Sequence, residues 1–529
     1  MGIEEVRLES EIQELGRLVF QRLQDHRLSI FSSEYISDML LSWGMGDEKL
    51  KTSLFRFVDV LPALPDAAAT VRHIEEYFGP IRSDLPLPIR TALDLGTNSF
   101  TAGVVAPTIH RQVKFVAERF IVGPSPRKAL RALRRIRNEG MAFTVDLLGE
   151  ATTSEAEAQI YLNRYLELLR TLAANVPGWH ESSPLIEGHR GETTPINISV
   201  KLSALYANAR AVNTEKSVTI LAERLCEILA EAKRHNAFVY VDMEDSSLTS
   251  ITLRAFYEAL SREEFLLYDR CGIVLQAYMR RTRADLLELI SWVRKRGTPI
   301  AVRLVKGAYW DSETILAKQQ GWDSPVWHHK SSTDAEYERL SLTLLENADI
   351  ITPAFASHNI RSLCHAIKSA EALGVSTKSY ELQALYGMGS PIQRTFVDLG
   401  HLVRLYAPVG ELVPGMAYLV RRLLENTSNE GFLRLSTHDH KGPELLLKRP
   451  TPHRDDLSEK DLPYKEEFLN KRKEVGTNSE GPFQNCSPVD FSIDSARREA
   501  AKAITDLKAN LQDKPAVVRP IVAGKRFPR

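Results

Sequence analysis

The amino-acid sequence predicts an α/β fold, a distorted (βα)8 TIM-like barrel preceded by a helical N-terminal region and followed by a C-terminal linker. Three observations predict it. From Met141 onward, short apolar β-rich runs alternate with stretches of helical periodicity. There are eight such runs, enough to close a parallel sheet on itself. Nearly every run ends in a polar or charged residue, and in a closed barrel all those ends meet on one face. A doubly wound open sheet is the alternative. It would usually bring a Gly-rich turn after its first strand, and none is present.

Residues 1–135 read as a helical arm and helical region, with Ile12, Leu15, Leu18, Val19 and Leu23 at three and four spacing. Residues 126–139 form a basic amphipathic helix, which suits a solvated face or a contact with an anionic partner. The barrel is expected over 136–436. Its strands are expected in 142–150, 196–204, 237–245, 272–278, 299–307, 351–359, 375–383 and 401–410, the seventh being the weakest as a strand. Helices are expected between them, among them 217–234 and 283–295. Residues 437–486 are polar and Pro-rich and read as linker. Residues 487–529 read as the start of a further domain: a helix at 492–511, then a β-like run (Val517, Val518, Ile521, Val522) with nothing after it to pair with. The segment from about 440 onward is therefore expected to be loosely attached.

Composition narrows the function. The 529 residues carry 68 Lys+Arg against 68 Asp+Glu, and a net charge of zero argues against non-specific nucleic-acid binding. Cys226, Cys271, Cys364 and Cys486 form no CxxC pair and read as isolated thiols of a reducing compartment. The first twenty residues lack a secretory pattern, and no run of about 18 apolar residues occurs. A cytoplasmic protein is expected.

The chemistry-bearing residues lie at the run ends: Asp146, Glu150, Lys201, Asp242, Glu244, Gln276, Arg303, Lys306, His358, Glu381, Gln383 and Tyr406. Any one alone fits a structural role as well as a functional one. The completeness of the set favours one pocket. In the helix after the eighth run, Tyr418, Arg421, Arg422 and Glu425 share one face. Paired guanidinium groups suit a substrate carboxylate, although the same spacing also makes a surface ion-pair ladder. In Arg303–Trp310, Gly307 and Ala308 admit a flat ligand to the backbone, and Tyr309 and Trp310 can pack on a ring or on the barrel rim. Lys330, Thr333 and Asp334 suit either a pyrophosphate or a helix cap. His328 and His329 are adjacent, point apart on a helix and have no third ligand nearby, so no metal site is expected. No GxGxxG follows any strand, so no nicotinamide site is expected.

The segments DLLGEA (146–151), VKLSALY (200–206), VDMED (241–245), RLVKGAYWD (303–311), SHN (357–359), YELQALYGM (380–388), LYAPVG (405–410) and YLVRRLLEN (418–426), with Gln276, together resemble the proline dehydrogenase domain of the bifunctional proline utilization A family. They span roughly 140–435 in order. The resemblance implies non-covalent FAD at the strand C-termini and oxidation of L-proline to pyrroline-5-carboxylate, with hydride passing to flavin N5. It implies that Lys201, Arg421 and Arg422 hold the proline carboxylate, and that Tyr406, Tyr418, Leu385, Tyr309 and Ala308 enclose the ring. Asp242 then lies beside flavin and substrate, and Glu150 forms a gating ion pair with Arg421. The flavin contacts map to Gln276, Arg303, Lys306, Gly307, Ala308, Trp310, Lys330, Thr333, His358, Asn359, Glu425 and Phe432. It further implies a quinone acceptor with peripheral contact at the inner face of a membrane, and leaves a homo-oligomer open. The tail resembles the start of an aldehyde dehydrogenase domain. That half, oxidising glutamate semialdehyde with NAD, is expected in cis or as a separate chain. Residues 1–50 lack the leading basic strand of a ribbon-helix-helix module, so no nucleic-acid partner is expected.

Overall fold

The computed structural model describes residues 3–23, 25, 49, 52–53, 56–57, 60, 64, 66–84, 120–149, 151–179, 187–188, 191–192, 194–411, 443–456, 487–513, 521–522 and 525–526. Eight parallel strands close into a barrel: β1 Ala142–Leu147, β2 Asn197–Val200, β3 Phe238–Val241, β4 Cys271–Gln276, β5 Ile300–Val305, β6 Ile351–Ala356, β7 Glu381–Leu385 and β8 Val403–Val409. Each pairs with its sequence neighbours, and β1 closes the ring against β8, with Thr144 opposite Tyr406. The expected barrel and its preceding helices are therefore present.

Alternation along the strands explains how one sequence builds both a core and a site. In β1, Phe143, Val145 and Leu147 join the apolar core, and Thr144 and Asp146 between them do not. The same period of two places Ser199, Tyr240, Arg303, Glu381, Gln383, Arg404 and Tyr406 out of phase with their apolar neighbours. The strand pairing keeps these residues on one face: Asp146 is opposite Ser199, Ser199 opposite Tyr240, and Tyr406 opposite Leu385. The apolar set faces the helices, and the polar set fills the barrel. Branched apolar residues usually fill such a barrel, so this interior is unusually ionic.

The helices follow their local signals. Helix α1 (Ile3–Arg22) and α2 (Ala67–Phe78) precede α3 (Pro126–Asn138), which buries Ala129, Leu133 and Ile136 against β1 and β8 and leaves most of its basic residues outward. Helix α4 (Glu155–Asn175) begins at Ser154, whose hydroxyl accepts the Glu157 N–H, with two glutamates in its first turn. Next come α5 (Thr214–Arg234), α6 (Ser246–Leu260) and α7 (Thr282–Arg296), which ends at Gly297 with φ +74°. Two helices, α8 (Trp310–Gln320) and α9 (Lys330–Glu346), lie between β5 and β6; α10 (Ile360–Ala372) and α11 (Ser390–Asp398) complete the ring.

Three expectations need correction. The seventh strand begins at Glu381, later than 375–383 implies, because Thr377–Ser379 forms a 3-10 turn in which the Ser376 hydroxyl accepts the Lys378 N–H. Of the terminal β-like run, Ile521–Val522 is paired, antiparallel with Lys525–Arg526, and Val517 and Val518 lie outside the described residues. Loose attachment beyond residue 440 does not hold for 443–456. There Pro443–Leu446 (α12) and the next residue put Leu446 and Leu447 into the core, and Arg361 donates to the Leu447 carbonyl at 3.3 Å. Farther on, Trp322 Nε1 donates to the Pro488 carbonyl at 2.8 Å, ahead of α13 (Asp494–Asp513).

Candidate active site

At the C-terminal mouth of the barrel, residues from five strands meet. Lys201, just past β2, places Nζ 2.6 Å from Asp146 Oδ1 of β1, 3.1 Å from the Tyr406 hydroxyl of β8 and 3.7 Å from Asp242 Oδ2 past β3. Tyr406 donates to Asp242 Oδ2 at 2.7 Å. Arg303 of β5 donates through Nη1 to Asp242 Oδ1 at 2.8 Å and to Ser199 Oγ at 3.0 Å. Its guanidinium also lies over Tyr240, 4.1 Å from the ring centre. All four charges are buried, with two carboxylates balancing two cations. Such a cluster is costly to desolvate and holds only with good geometry. Burial raises the Asp146 carboxyl above the usual carboxylate range, with Lys201 opposing. Burial likewise keeps the Tyr406 phenol protonated.

The cluster is not fully satisfied from within. Arg303 Nε and Nη2 and Gln276 Oε1 are buried, and among the described residues none of them has a hydrogen-bond partner. Gln276 closes β4 and donates to the Met243 carbonyl at 3.5 Å. A buried guanidinium edge and a buried amide oxygen left without partners suit a flat heterocycle with acceptors and a ring N–H. Beside them Gly307 has φ +132°, and a Cβ there would stand 2.3 Å from the Tyr278 ring. Gly307, Ala308 and Trp310 are exposed along this strip, and Tyr309 is half-buried. Trp310 donates Nε1 to the Trp327 carbonyl at 2.7 Å.

A second charged group lies close by in the fold. Lys306 and Lys330 each reach one oxygen of Asp334, both at 2.5 Å. Two ammonium groups on one carboxylate leave a net positive charge at the N-terminus of α9, as a pyrophosphate requires. Thr333 is buried in that first turn. The turn is held from a distance: Asp456 accepts the His328 and His329 N–H groups at 2.9 and 3.1 Å and the Ser332 hydroxyl at 2.7 Å. Sequence reasoning missed Asp456, because a cap 126 residues beyond the helix start leaves no local pattern.

Other expected residues sort by position. His358 Nε2 accepts the Leu385 N–H at 3.2 Å, tying the β6 and β7 ends. The Asn359 side-chain oxygen caps α10 by accepting the Ser362 N–H. Glu244 is not at the mouth's ionic cluster; it accepts both the N–H and the hydroxyl of Ser203 and so ties two loops. Glu381 opens β7 rather than ending it, and forms a buried pair with Arg404 at 2.9 Å low in the barrel. Glu150, Tyr418, Arg421, Arg422, Glu425 and Phe432 lie outside the described residues.

His329 does gain neighbours from afar: it, His453 and Asp455 bring one ligand atom each within 4.8 Å of one another. The two rings stack at 3.6 Å and 26°, and both face Asp455 Oδ2, His329 Nε2 at 3.5 Å and His453 Nδ1 at 3.4 Å, so a third potential ligand does lie near His329. A cavity of about 740 Å³ lies along α3, lined by Lys128, Arg131, Arg134 and Arg135, and contains none of the mouth residues. Among the described residues no helix is long and apolar enough to cross a membrane.

Comparison with known proteins gives this geometry a family. The proline dehydrogenase family model matches residues 129–435, and the model of the proline utilization A N-terminal domain matches 9–120. The bifunctional protein PutA of Klebsiella aerogenes is 31% identical over 356 residues, which is 65% of this chain and 26% of that one. Proline dehydrogenase 2 of Bacillus subtilis is 28% identical over 319 residues, 60% of this chain and 89% of that one. The crystal structure of proline utilization A from Bdellovibrio bacteriovorus, inactivated by N-propargylglycine, has 40% identity and a TM-score of 0.83, covering 98% of this chain and 50% of that chain. The chain thus spans about a quarter of the length of the bifunctional relative it matches.

Proposed function

The chain belongs to the proline dehydrogenase family, and from that premise we propose that it oxidises L-proline to 1-pyrroline-5-carboxylate with FAD as the bound oxidant. The observation that carries the reading is the buried cluster of Lys201, Asp242, Arg303 and Tyr406 at the barrel mouth, at positions the family resemblance assigns to substrate and flavin. FAD, when bound, supplies a hydride acceptor that no side chain can replace.

The chain's own residues then bind and orient. Gln276 and Arg303 offer the unsatisfied polar edge for the ring system, and we assign Gly307, Ala308, Trp310, His358 and Asn359 to the rest of its surroundings. Lys306, Lys330 and Thr333 offer the cationic turn for the pyrophosphate. Lys201 presents an ammonium to a substrate carboxylate, and we assign Arg421 and Arg422 to the same task. Fixing one end of a small zwitterion orients its ring, and orientation is worth several orders of magnitude in rate. Tyr309, Leu385, Tyr406 and Tyr418 shape the ring pocket, Glu150 gates it, and Glu425 and Phe432 complete the flavin's surroundings. The electrons pass onward to a quinone-type acceptor. The glutamate semialdehyde half of the pathway belongs to a partner segment or chain.

The test is a flavin spectrum of the purified chain. We expect a yellow protein, free of bound NAD, that L-proline bleaches under anaerobic conditions. A colourless protein, or a flavin that proline leaves oxidised while another cyclic amino acid reduces it, would sink the proposal. Arg422→Met should raise KM for proline by the loss of a charge-assisted pair, about 2 to 4 kcal/mol of binding, with flavin retained; an unchanged KM removes Arg422 from the carboxylate site.

A further inference from the structure

The buried charges at the mouth divide into two pairs, Lys201 with Asp146 and Arg303 with Asp242. We infer that Asp146 enforces this division: it is a positioning residue that holds the Lys201 ammonium on the β1 side and keeps it beyond hydrogen-bond reach of Asp242, which stands 3.7 Å away. The inference rests on the reading of Lys201 and Asp242 as substrate-side groups.

Asp146 differs from the structural carboxylates of this fold. Glu244 takes a backbone N–H and a hydroxyl from Ser203. Glu313 takes the N–H and hydroxyl of Ser246, and Asp456 takes two backbone N–H groups and a hydroxyl. Each of those joins separate segments. Asp146 has no exposure, receives Lys201 Nζ on Oδ1, and accepts no hydrogen bond on Oδ2 from the described residues. It ties no loop. A buried carboxylate that meets one ammonium and the Tyr406 hydroxyl, and no backbone donor, is an expensive way to stabilise a barrel, whereas it is a direct way to fix where that ammonium sits.

The alternative position for Lys201 is visible. Asp242 Oδ2 stands 3.7 Å from Nζ and is already the acceptor for Tyr406, and Asp242 Oδ1 holds Arg303. With the Asp146 charge removed, Asp242 becomes the nearest carboxylate to Lys201 among the described residues. In a low-dielectric interior the ammonium moves to it. Asp242 would then be shared by Arg303, Tyr406 and Lys201. Arg303 would lose part of its anchor, and Lys201 would turn away from an incoming carboxylate.

The experiment is a double-mutant cycle on the full flavin-loaded chain: Asp146→Asn, Lys201→Met and the two combined. Asn keeps the volume and removes the charge. Two measurements follow. The first is the crystal structure of Asp146→Asn, in which Lys201 Nζ is expected within hydrogen-bond distance of Asp242; an ammonium that stays in place overturns the inference whatever the substrate proves to be. The second is the dissociation constant of tetrahydrofuran-2-carboxylate, read from the flavin absorbance. Asp146→Asn is expected to weaken it about ten-fold or more, and the combined variant to match Lys201→Met alone. Additive losses, or wild-type binding by Asp146→Asn, overturn it. If Asp146→Asn does not fold, the combined variant removes both charges at once, and its comparison with Lys201→Met still decides. A wild-type chain that does not bind this probe counts against the proline reading instead, and the crystal structure still decides the position of Lys201.

Discussion

Gly307 shows how much a single backbone conformation contributes to the mouth. Its φ of +132° is one that side-chain-bearing residues rarely adopt, and the Tyr278 ring occupies the place of a Cβ. Gly307→Ala should therefore cost about 2 to 4 kcal/mol in strain and overpacking, and should also lower flavin content, since Lys306 precedes it. A thermal melt with flavin quantification checks both; a stable, flavin-replete variant would mean that the strip can shift. Asp242 gives the opposite case, a residue that matters for what it neutralises. Asp242→Ala leaves the buried Arg303, among the described residues, with Ser199 Oγ and two aromatic faces, and should destabilise by roughly 3 to 5 kcal/mol. Urea unfolding should show most of that loss recovered in Asp242→Ala combined with Arg303→Met. At this scale the sequence was largely legible. Lys201, Asp242, Arg303 and Tyr406 stand out as functional groups closing or punctuating apolar runs, and they do meet; Gln276 closes β4 and bonds the Met243 carbonyl. Asp146 is on the same list, but its pairing with Lys201 depends on strand register, which periodicity alone does not supply. Glu381 was misread for the same reason: a strand starting a few residues late turns a rim carboxylate into an interior one.

At the scale of elements, the arm helix α1 is joined to α10 by a buried triad. Arg361 donates to Glu9 at 2.5 and 2.8 Å and to Glu338 of α9 at 2.8 and 3.0 Å. The helical periodicity of Ile12, Leu15 and Val19 announces α1, but nothing in it announces where α1 docks, since the partner lies 352 residues away. Beside the triad is His365, whose imidazole is pushed down to about 3, first by burial and then by the Arg361 charge; Glu9 opposes this weakly, Arg449 adds to it, and Glu338 lies 3.9 Å away. His365 is thus neutral when folded, whereas it protonates near 6.5 when unfolded. The unfolded state binds more protons between those values, so stability falls as pH drops below about 6.5 and levels off near 3. At pH 5 the penalty from this group is about 2 kcal/mol. His365→Phe should therefore show a shallower decline in Tm between pH 7.5 and 5 than the wild type. Parallel declines would mean that the ring is solvated in solution.

For the whole molecule, the question is where the catalytic unit ends. Composition places a break at 436/437, where the chain turns polar and Pro-rich, and the eight strands are complete before it. Composition cannot show that part of a polar segment returns to the barrel, because the returning contacts are few and specific. Leu446 and Leu447 fill a gap between α1 and α10, where Gly16 leaves room for the Leu447 side chain. Asp456 then caps α9 one turn from Lys330. Residues 443–456 are polar on average and still part of the folded unit. A chain ending at 456 should therefore melt close to the full chain and keep its flavin, whereas a chain ending at 440 should lose both the Leu447 plug and the α9 cap. Asp456→Ala isolates the cap: losing the acceptor of two backbone N–H groups and the Ser332 hydroxyl should cost about 2 to 4 kcal/mol. It should also weaken flavin retention more than proline affinity, because the freed turn carries Lys330 and Thr333 while Lys201 and Asp242 lie on other strands. Flavin dissociation measured alongside KM for proline separates these effects. A variant that loses proline affinity but holds flavin normally would place the α9 turn outside the cofactor site, and the pair Lys306 and Lys330 would then be a structural brace on Asp334.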